Sequence, residues 1–202
     1  ERLGLGARPV LLSVGRLTRR KGLVEFVRAA LPAIVATHPE ALLVVIGEEA
    51  TDALHTAAGS ERERIEAAAT AAGLSANLRF AGRCSAAELT QAYQAAQVHV
   101  FPVLEQVGDV EGFGMVALES AAHGLRTVAF AVGGVPDAID PGRSGTLVPS
   151  GDYAGFAGAV LELLASPATA EAIAAGRAFA TDKDWTRFGV RLRELLETLD
   201  AR

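Results

Sequence analysis

Two loops of the sequence carry residue types that suit a phosphorylated sugar ligand. The first, residues 15–22, reads Gly-Arg-Leu-Thr-Arg-Arg-Lys-Gly and places four cations within six residues. The second, residues 111–119, reads Glu-Gly-Phe-Gly-Met-Val-Ala-Leu-Glu and places two glycines between two carboxylates. Cations and free backbone N–H groups bind a diphosphate, whereas carboxylates accept hydrogen bonds from vicinal hydroxyls. The pair of loops therefore predicts a ligand that contains both groups.

The cationic loop alone admits two interpretations. It follows a predicted strand and leads into a predicted helix, where unpaired backbone N–H groups add to the pull on a phosphate. A solvated run of charge fits the loop about as well. The loop is not a P-loop, because Arg20 and Gly22 stand where that motif has glycine and a hydroxyl residue.

The second loop also has simpler interpretations. Glu111 alone could be a carboxylate that stabilises a helix dipole, and Glu119 alone could be an exposed helix residue. Glu119, however, lies among small and apolar residues, where a carboxylate needs a partner. The glycines between the two acids let the backbone approach a ligand closely.

A dinucleotide site is the weaker alternative for this loop. Residues 112–117 fit the loose pattern Gly-x-Gly-x-x-Ala, and Asp137 follows about 20 residues later. The pattern lies after the fourth predicted strand, however, whereas a dinucleotide fingerprint opens the fold. The paired Gly133 and Gly134 before Asp137 permit a further close approach to a ligand, and a plain tight turn explains them equally well.

Composition indicates one soluble globular domain across residues 1–202. Half of the 202 residues are hydrophobic, and the formal net charge of −5 disfavours general nucleic-acid binding. Cys84 is the only cysteine, so no internal disulfide forms and a cytoplasmic, reducing location is expected. No apolar run reaches the roughly 18 residues of a membrane span. The first residues lack a signal-peptide pattern and an initiator Met, so we expect a piece of a longer protein.

Short apolar runs alternate with amphipathic stretches along the chain. This alternation predicts an α/β fold in which a Rossmann-like, parallel, six-stranded sheet has helices on both faces. The predicted strands are residues 9–14, 41–46, 78–80, 98–103, 127–131 and 145–148. The predicted helices are residues 22–36 with a kink at Pro32, 60–72, 85–96, 115–123, 153–165, 169–180 and 185–199. In such folds ligands bind at the carboxyl ends of the strands, where the loops described above lie.

In this order and spacing, the loops resemble those of the large group 1 family of retaining glycosyltransferases, whose GT-B fold has two Rossmann-like domains. The resemblance covers nearly the whole chain. It rests on residues 14–17 with 21–22, on the Glu-x7-Glu segment 111–119, on the Gly-Gly-x-Pro-Asp turn within 131–137, and on residues 145–152. The resemblance identifies the chain as the C-terminal, donor-binding half of that fold.

The resemblance also implies roles for individual residues. Arg16 and Lys21 would bind the donor diphosphate and stabilise it as a leaving group, and Glu111 would contact hydroxyls of the donor sugar. Glu119 would hold the ribose hydroxyls. The remaining donor contacts would come from the backbone at Gly15, Gly112, Phe113, Gly114 and Met115, and from Arg83 and Cys84 beside the nucleobase. A sugar would leave its nucleoside diphosphate with retention at the anomeric carbon, and no metal or other cofactor is expected.

Two departures from the family pattern concern the acceptor and the sugar pocket. About 200 residues cannot hold both GT-B domains, so an N-terminal acceptor domain is expected to be absent, and this chain should bind donor without turning it over. Contact with a membrane would arise only through that absent half. The loop before Glu111, residues 105–110, is longer than is usual in the family, which affects the shape of the sugar pocket.

Three other functions stay open at this stage. An epimerase or phosphorylase-like relative of the same fold is disfavoured, because it would lack the combination of the cationic loop with the Glu111 to Glu119 motif. A non-catalytic nucleotide-binding or interaction module is the main alternative. A dinucleotide-dependent dehydrogenase is the third. The sequence does not fix the nucleobase, the sugar, the acceptor or the oligomeric state.

Overall fold

The computed structural model describes residue 6 and residues 8–49 and 60–200. Six parallel strands form one sheet in the order β3-β2-β1-β4-β5-β6. The strands are β1 (Val10–Val14), β2 (Leu42–Ile46), β3 (Leu78–Gly82), β4 (Val98–Phe101), β5 (Thr127–Phe130) and β6 (Gly145–Val148). This is the strand order of a doubly wound Rossmann-like sheet, as the alternating sequence pattern predicts. The order reverses between β1 and β4, which lie side by side.

Eight α-helices connect or flank these strands within the described part of the chain. They are α1 (Leu23–Ala29), α2 (Leu31–Thr37), α3 (Glu61–Ala71), α4 (Ala86–Ala95), α5 (Met115–Ala122), α6 (Tyr153–Ala165), α7 (Ala170–Asp182) and α8 (Trp185–Asp200). Short 3-10 turns cover Arg19–Lys21, Ser75–Asn77 and Val135–Ala138. Capping boxes begin α3 at Ser60 with Glu63 and α4 at Ser85 with Glu88, where each serine accepts from the backbone N–H of its glutamate.

Side-chain alternation along β1 builds a core on each face of the sheet. Leu11 packs into the larger core with Phe26 of α1 and Phe156 of α6. Val10 and Leu12 point the other way, into the smaller core, together with Tyr93 of α4. Helices therefore cover both faces of the sheet, which confirms the predicted layers.

The predicted single helix over residues 22–36 is instead two helices. The first ends at Ala29, Ala30 lies between them, and the second begins at Leu31 with Pro32 in its first turn. Proline has no N–H to donate and suits a first turn, so the chain restarts a helix there instead of kinking a continuous one.

The last helix, α8, is amphipathic but exposed along its described side chains. Seven large hydrophobic residues of α8 face solvent, Trp185 with 73% of its surface exposed: Trp185, Phe188, Val190, Leu192, Leu195, Leu196 and Leu199. Asp184 caps its start by accepting from the N–H of Arg187 at 2.8 Å. No helix in the described ranges is both long and apolar enough to cross a membrane.

Some sequence predictions concern residues at the edge of the described part. The absence of a signal-peptide pattern was inferred from residues 1–6, of which all but Gly6 lie outside the described residues. The segment around residue 60 was predicted to be an exposed loop and helix start. The helix does begin there, but Glu61 is buried, with an ion pair to Arg64.

Candidate functional site

The two loops that the sequence predicts to bind a ligand meet at the point where the strand order reverses. The cationic loop leaves the carboxyl end of β1, and the loop of residues 102–114 leaves the carboxyl end of β4, its neighbour in the sheet. A doubly wound sheet binds its ligands in the crevice at such a point, because the two loops diverge from adjacent strands. The topology thus brings together the two segments that the sequence singled out.

Close backbone packing fixes the end of the cationic loop on the end of β4. Gly22 has φ 67°, and a Cβ there would lie 2.0 Å from the carbonyl oxygen of Pro102. Only glycine allows this conformation and this approach. The backbone N–H of Leu104 donates to the carbonyl of Arg20 at 2.8 Å, so the two loops are joined on both sides of this contact.

A buried ionic cluster occupies the junction of the two loops. Lys21 Nζ donates to Glu111 Oε2 at 2.6 Å, and Arg20 Nη1 binds the same carboxylate oxygen. Arg20 Nε also donates to Asp109 Oδ1 at 2.8 Å. Lys21 lies over the ring of Phe101, 4.8 Å from its centroid, so an aromatic face supports the cation from β4.

The charges of this cluster shift the pKa values of its members. Burial raises the pKa of Glu111, but the hydrogen bonds and charges of Lys21 and Arg20 outweigh burial and leave that pKa below its ordinary value. Burial lowers the pKa of Lys21, against the opposing effect of Glu111 and with further lowering by Arg20 and Arg16. Glu111 is thus held as a carboxylate beside a lysine whose pKa is lowered mainly by burial and further by the neighbouring arginines.

The turn after β5 supports the backbone of the second loop. The N–H of Gly134 donates to the carbonyl of Glu111 at 2.9 Å. A Cβ on Gly134 would lie 2.0 Å from the carbonyl oxygen of Gly112, and one on Gly133 would lie 2.6 Å from that of Glu111. The paired glycines are therefore not a plain tight turn, because they hold the loop that carries Glu111.

A second cluster holds Glu119 on α5. Tyr93 donates from its hydroxyl to Glu119 Oε2 at 3.1 Å, and the ring of Tyr93 stacks on His123 with centroids 4.9 Å apart. His123 Nδ1 lies 2.7 Å from the backbone carbonyl of Glu119. Burial raises the pKa of Tyr93, and the charge of Glu119 raises it further, so this hydroxyl stays a donor. The partner that Glu119 needs is therefore a tyrosine from α4.

The other sequence-predicted residues line the same edge of the sheet, with different exposure. Arg16 follows β1 and is exposed, and its charge acts on Lys21. Arg83 and Cys84 follow β3, two strands away from β1; Arg83 is exposed and Cys84 packs partly against the smaller core. Gly15 lies beside Lys21, and a Cβ there would meet Cε of that lysine at 3.4 Å.

The residues around the start of α5 differ in how far they are buried. Gly114, the residue before the helix, has φ 90°, and its Cα faces the ring of Phe101, where a Cβ would lie 3.0 Å away. Phe113 is half-buried against the larger core, while Met115 is 45% exposed. Around Gly112 an added Cβ would meet nothing within 4 Å, which leaves that peptide accessible to a ligand.

Sequence reasoning missed three residues of this site. Arg20, rather than Arg16, binds Glu111 alongside Lys21, and it was visible only as one of four cations in its loop. Asp109 was noted as part of a long loop, without a role. Tyr93 carried no signal beyond being one of two tyrosines. No cluster of three or more metal-ligating side chains occurs among the residues that the structure describes.

A cavity of about 240 Å³ lies at the opposite edge of the sheet and is a weaker candidate. Tyr93 and His123 of the Glu119 cluster are among its lining residues. Two of its other polar groups have partners within the protein: Gln97 Oε1 accepts from the N–H of Val10 at 2.6 Å, and Arg126 binds the carbonyl of Ser166. It also lies away from the carboxyl ends of the strands, where this class of sheet binds ligands.

The fold and the site define a Rossmann-like domain with an ionic cluster at the reversal of its strand order, and comparison with known proteins identifies its family. The sequence model described as "Glycosyl transferases group 1" matches residues 3–178, and the chain belongs to that family. It is 36% identical over 200 residues to the "GDP-mannose-dependent alpha-(1-6)-phosphatidylinositol monomannoside mannosyltransferase" of Mycolicibacterium smegmatis, which covers 97% of this chain and 50% of that protein.

Solved structures agree with this assignment. Sucrose-phosphate synthase from Thermosynechococcus elongatus superposes with a TM-score of 0.75 and 31% identity over 96% of this chain and 46% of that one. HepE from Anabaena, solved with UDP, superposes with a TM-score of 0.79 at 20% identity, over 98% of this chain and 50% of that one, and so shares its fold. The chain spans about half the length of these relatives and corresponds to the C-terminal domain of the GT-B fold.

Proposed function

We propose that this chain binds the nucleoside-diphosphate sugar donor of a retaining glycosyltransferase. The observation that carries the proposal is the junction of the two loops, where Lys21 and Arg20 converge on Glu111 at the reversal of strand order. The diphosphate lies against Arg16 and Lys21, and the sugar lies against Glu111. The names of the relatives support this donor class, since one is GDP-mannose-dependent and another was solved with UDP.

The chemistry required of the site is to stabilise a leaving group. In the transfer, the bond between the anomeric carbon and the β-phosphate oxygen breaks, and a bond to the oxygen of an acceptor hydroxyl forms on the same face of the sugar. The proton of that hydroxyl passes to the departing phosphate oxygen. The departing diphosphate gains charge as that bond breaks. Arg16 and Lys21 stabilise this charge, and the Lys21 ammonium, freed from Glu111 by the phosphate, becomes its partner.

Glu119 serves the nucleoside end of the donor in this proposal. Its carboxylate accepts from the ribose hydroxyls while Tyr93 holds its Oε2. Arg83 and Cys84, at the end of β3, lie beside the base. Backbone N–H groups of residues 112–115 approach the phosphates and the sugar at the start of α5.

We also propose that donor binding needs no metal ion. Arg16 and Lys21 supply positive charge where a metal-dependent transferase would place a divalent cation. EDTA therefore leaves nucleotide affinity unchanged. A loss of affinity in EDTA that Mg²⁺ or Mn²⁺ restores would overturn this part of the proposal.

The acceptor and the completed active site belong to an N-terminal half of the same protein in this proposal. The chain spans about half of its relatives, and α8 presents an exposed row of large apolar side chains. Exposed apolar side chains of this size are removed from water only when another surface covers them. We propose that α8 packs against that half, so that the crevice closes only in the complete protein.

Calorimetric titration of the chain with GDP, UDP and ADP, with and without EDTA, tests the donor proposal. Binding of one nucleotide, insensitive to EDTA, is the expected result, and it identifies the nucleobase. A folded chain and a folded complete gene product that both fail to bind any of the three would overturn the proposal in favour of a non-catalytic module.

A further inference from the structure

Arg20 contacts the loop of residues 104–111 at three separate points. Its carbonyl accepts from the N–H of Leu104 at 2.8 Å, at the start of the loop. Its Nε donates to Asp109 at 2.8 Å, and its Nη1 binds Glu111, at the end of the loop. One residue of the cationic loop thus contacts both ends of the loop of residues 104–111. The two loops are about 90 residues apart in sequence, so only the tertiary fold brings them together.

The fork shape of the guanidinium is what permits this. Arginine presents several N–H groups in a fixed plane, so one side chain can bind two carboxylates at once, whereas a lysine offers a single charged point. Arg20 is buried, with 9% of its surface exposed, so its two acidic partners stabilise a cation that has lost most of its water. Asp109 is half-exposed, and its contact with Nε fixes the orientation of the guanidinium plane of Arg20.

The consequence for Glu111 is a defined orientation of its carboxylate. Lys21 and Arg20 both bind Oε2. Among the described residues no hydrogen bond reaches Oε1, so that oxygen is the one presented to a ligand hydroxyl. Between Leu104 and Asp109 the segment includes Glu105 and Val107, which are both exposed. Core packing therefore contributes little to fixing this segment, and the contacts of Arg20 fix its two ends.

We propose that Arg20 and Asp109 form a positioning pair that fixes Glu111 for recognition of the donor sugar. The pair sets affinity for the sugar moiety and leaves affinity for the nucleoside diphosphate to Arg16, Lys21 and Glu119. This inference rests on the proposed donor function. It assigns a role to the long loop before Glu111, whose Asp109 completes the pair.

The test compares two ligands on the same protein, a nucleotide and its sugar conjugate. GDP and GDP-mannose, and UDP and UDP-glucose, are titrated calorimetrically into the wild-type chain, into Asp109→Asn and into Arg20→Lys. The ratio of nucleotide-sugar affinity to nucleotide affinity falls by about fivefold or more in both variants, while nucleotide affinity alone stays within about twofold. Glu105→Gln, an exposed acid of the same loop, is the matched control and keeps the wild-type ratio.

The outcomes separate this inference from the function on which it rests. A wild-type chain that binds no nucleotide and no nucleotide sugar contradicts both. A wild-type chain that binds them, with unchanged ratios in Asp109→Asn and Arg20→Lys, contradicts only the positioning pair. Equal losses for nucleotide and nucleotide sugar, accompanied by a lower unfolding temperature, show a merely structural role and also overturn it.

Discussion

At the residue scale, each of the two carboxylates of the Glu-x7-Glu segment is held by a side chain from another part of the fold. Glu111 is bound by Lys21 and Arg20 from the loop after β1, and Glu119 by Tyr93 from α4. Pre-oriented carboxylates favour a ligand because little side-chain freedom remains to be lost on binding. The contacts that fix these acids are therefore the points at which a small change should affect binding more than folding.

The bond between Tyr93 and Glu119 gives the first prediction. Tyr93→Phe removes the hydroxyl and leaves the ring stacked on His123, so the expected result is an affinity for nucleoside diphosphate about three- to tenfold lower, since a hydrogen bond to a charged group is lost. Tyr153→Phe, at the only other tyrosine, is the control. Calorimetry measures both, and equal affinities for the two variants would contradict the role given to Tyr93.

A second residue-scale prediction concerns His99, which is buried in β4 with Nδ1 3.0 Å from Thr127 Oγ1 and no partner for Nε2 in the described structure. Burial, and then the charge of Lys21, lower the pKa of His99 from 6.5 to about 3. Between these two pH values His99 is therefore protonated in the unfolded chain and neutral in the folded chain. Stability is complete above the unfolded pKa and is lost as the pH falls from about 6.5 towards 3.

The measurement is the free energy of unfolding in urea at about pH 7 and at about pH 5. His99 accounts for roughly 2 kcal/mol of the decrease between these values, so His99→Gln loses correspondingly less stability on acidification. His38→Gln is the control and keeps the wild-type decrease. If the free energy of unfolding of His99→Gln fell as much on acidification as that of the wild-type chain, another group would be responsible for the loss of stability at low pH.

At the element scale, loops from three strands pack backbone to backbone around the site. The turn after β5 supports the loop after β4, and the loop after β4 is joined to the loop after β1. Glycine at these contacts reflects close approach, as at Gly134, which has φ −86° and so no backbone need for glycine. The backbone that carries Glu111 is therefore held by close contact with the turn after β5.

Gly134→Ala tests this support. Its Cβ would meet the carbonyl oxygen of Gly112 at 2.0 Å, so the loop that carries Glu111 must move. We expect nucleotide-sugar affinity to fall at least about tenfold and the free energy of unfolding to fall by about 1–3 kcal/mol.

Gly158→Ala is the matched control for that substitution. It lies within α6, and a Cβ there meets nothing within 4 Å. Alanine should raise stability there by about 0.5–1 kcal/mol and leave affinity unchanged. Tight nucleotide-sugar binding by Gly134→Ala would show that the β5 turn does not support the loop.

The elements themselves were predictable because local signals and burial agree. The capping boxes at Ser60 and Ser85 indicate where α3 and α4 begin, and continuous apolar runs indicate buried parallel strands. The break before Pro32 was foreseen only as a kink, since the sequence does not show whether the chain restarts its helix. Site contacts were less predictable: neither Arg20 to Asp109 nor Tyr93 to Glu119 has a sequence pattern, because the fold alone brings these residues together.

At the scale of the whole molecule, the chain carries an ionic cluster at the carboxyl ends of its strands and an apolar helix face exposed to water. Both features suit one half of a two-domain enzyme, and the chain spans about half of its relatives. The sequence indicated this division through its resemblance to a two-domain family, since about 200 residues cannot hold both domains. Under the proposal, α8 supplies the surface that meets that other half, and the structure shows the large apolar side chains of α8 exposed.

A substitution in α8 tests its role in joining the two halves. Leu195→Glu with Leu199→Glu should leave the free energy of unfolding of the 202-residue chain within about 0.5 kcal/mol, because both side chains are already exposed. The same pair should destabilise the complete gene product by about 2 kcal/mol or more, by burying charge at an interface. Arg193→Glu is the control on the same helix. Equal stability of the complete protein with and without the double substitution would contradict the proposed contact.

The most direct test of the account is whether the cationic loop binds the donor diphosphate. The Arg16→Ala/Lys21→Ala double variant is titrated with the nucleotide that the wild-type chain prefers, beside Lys183→Ala, the variant of the only other lysine. We expect affinity to fall at least about a hundredfold in the double variant and to stay unchanged in Lys183→Ala, since charge-assisted bonds to phosphate are lost only in the former. Undiminished binding by a folded double variant would contradict the account, because the nucleotide would then bind elsewhere.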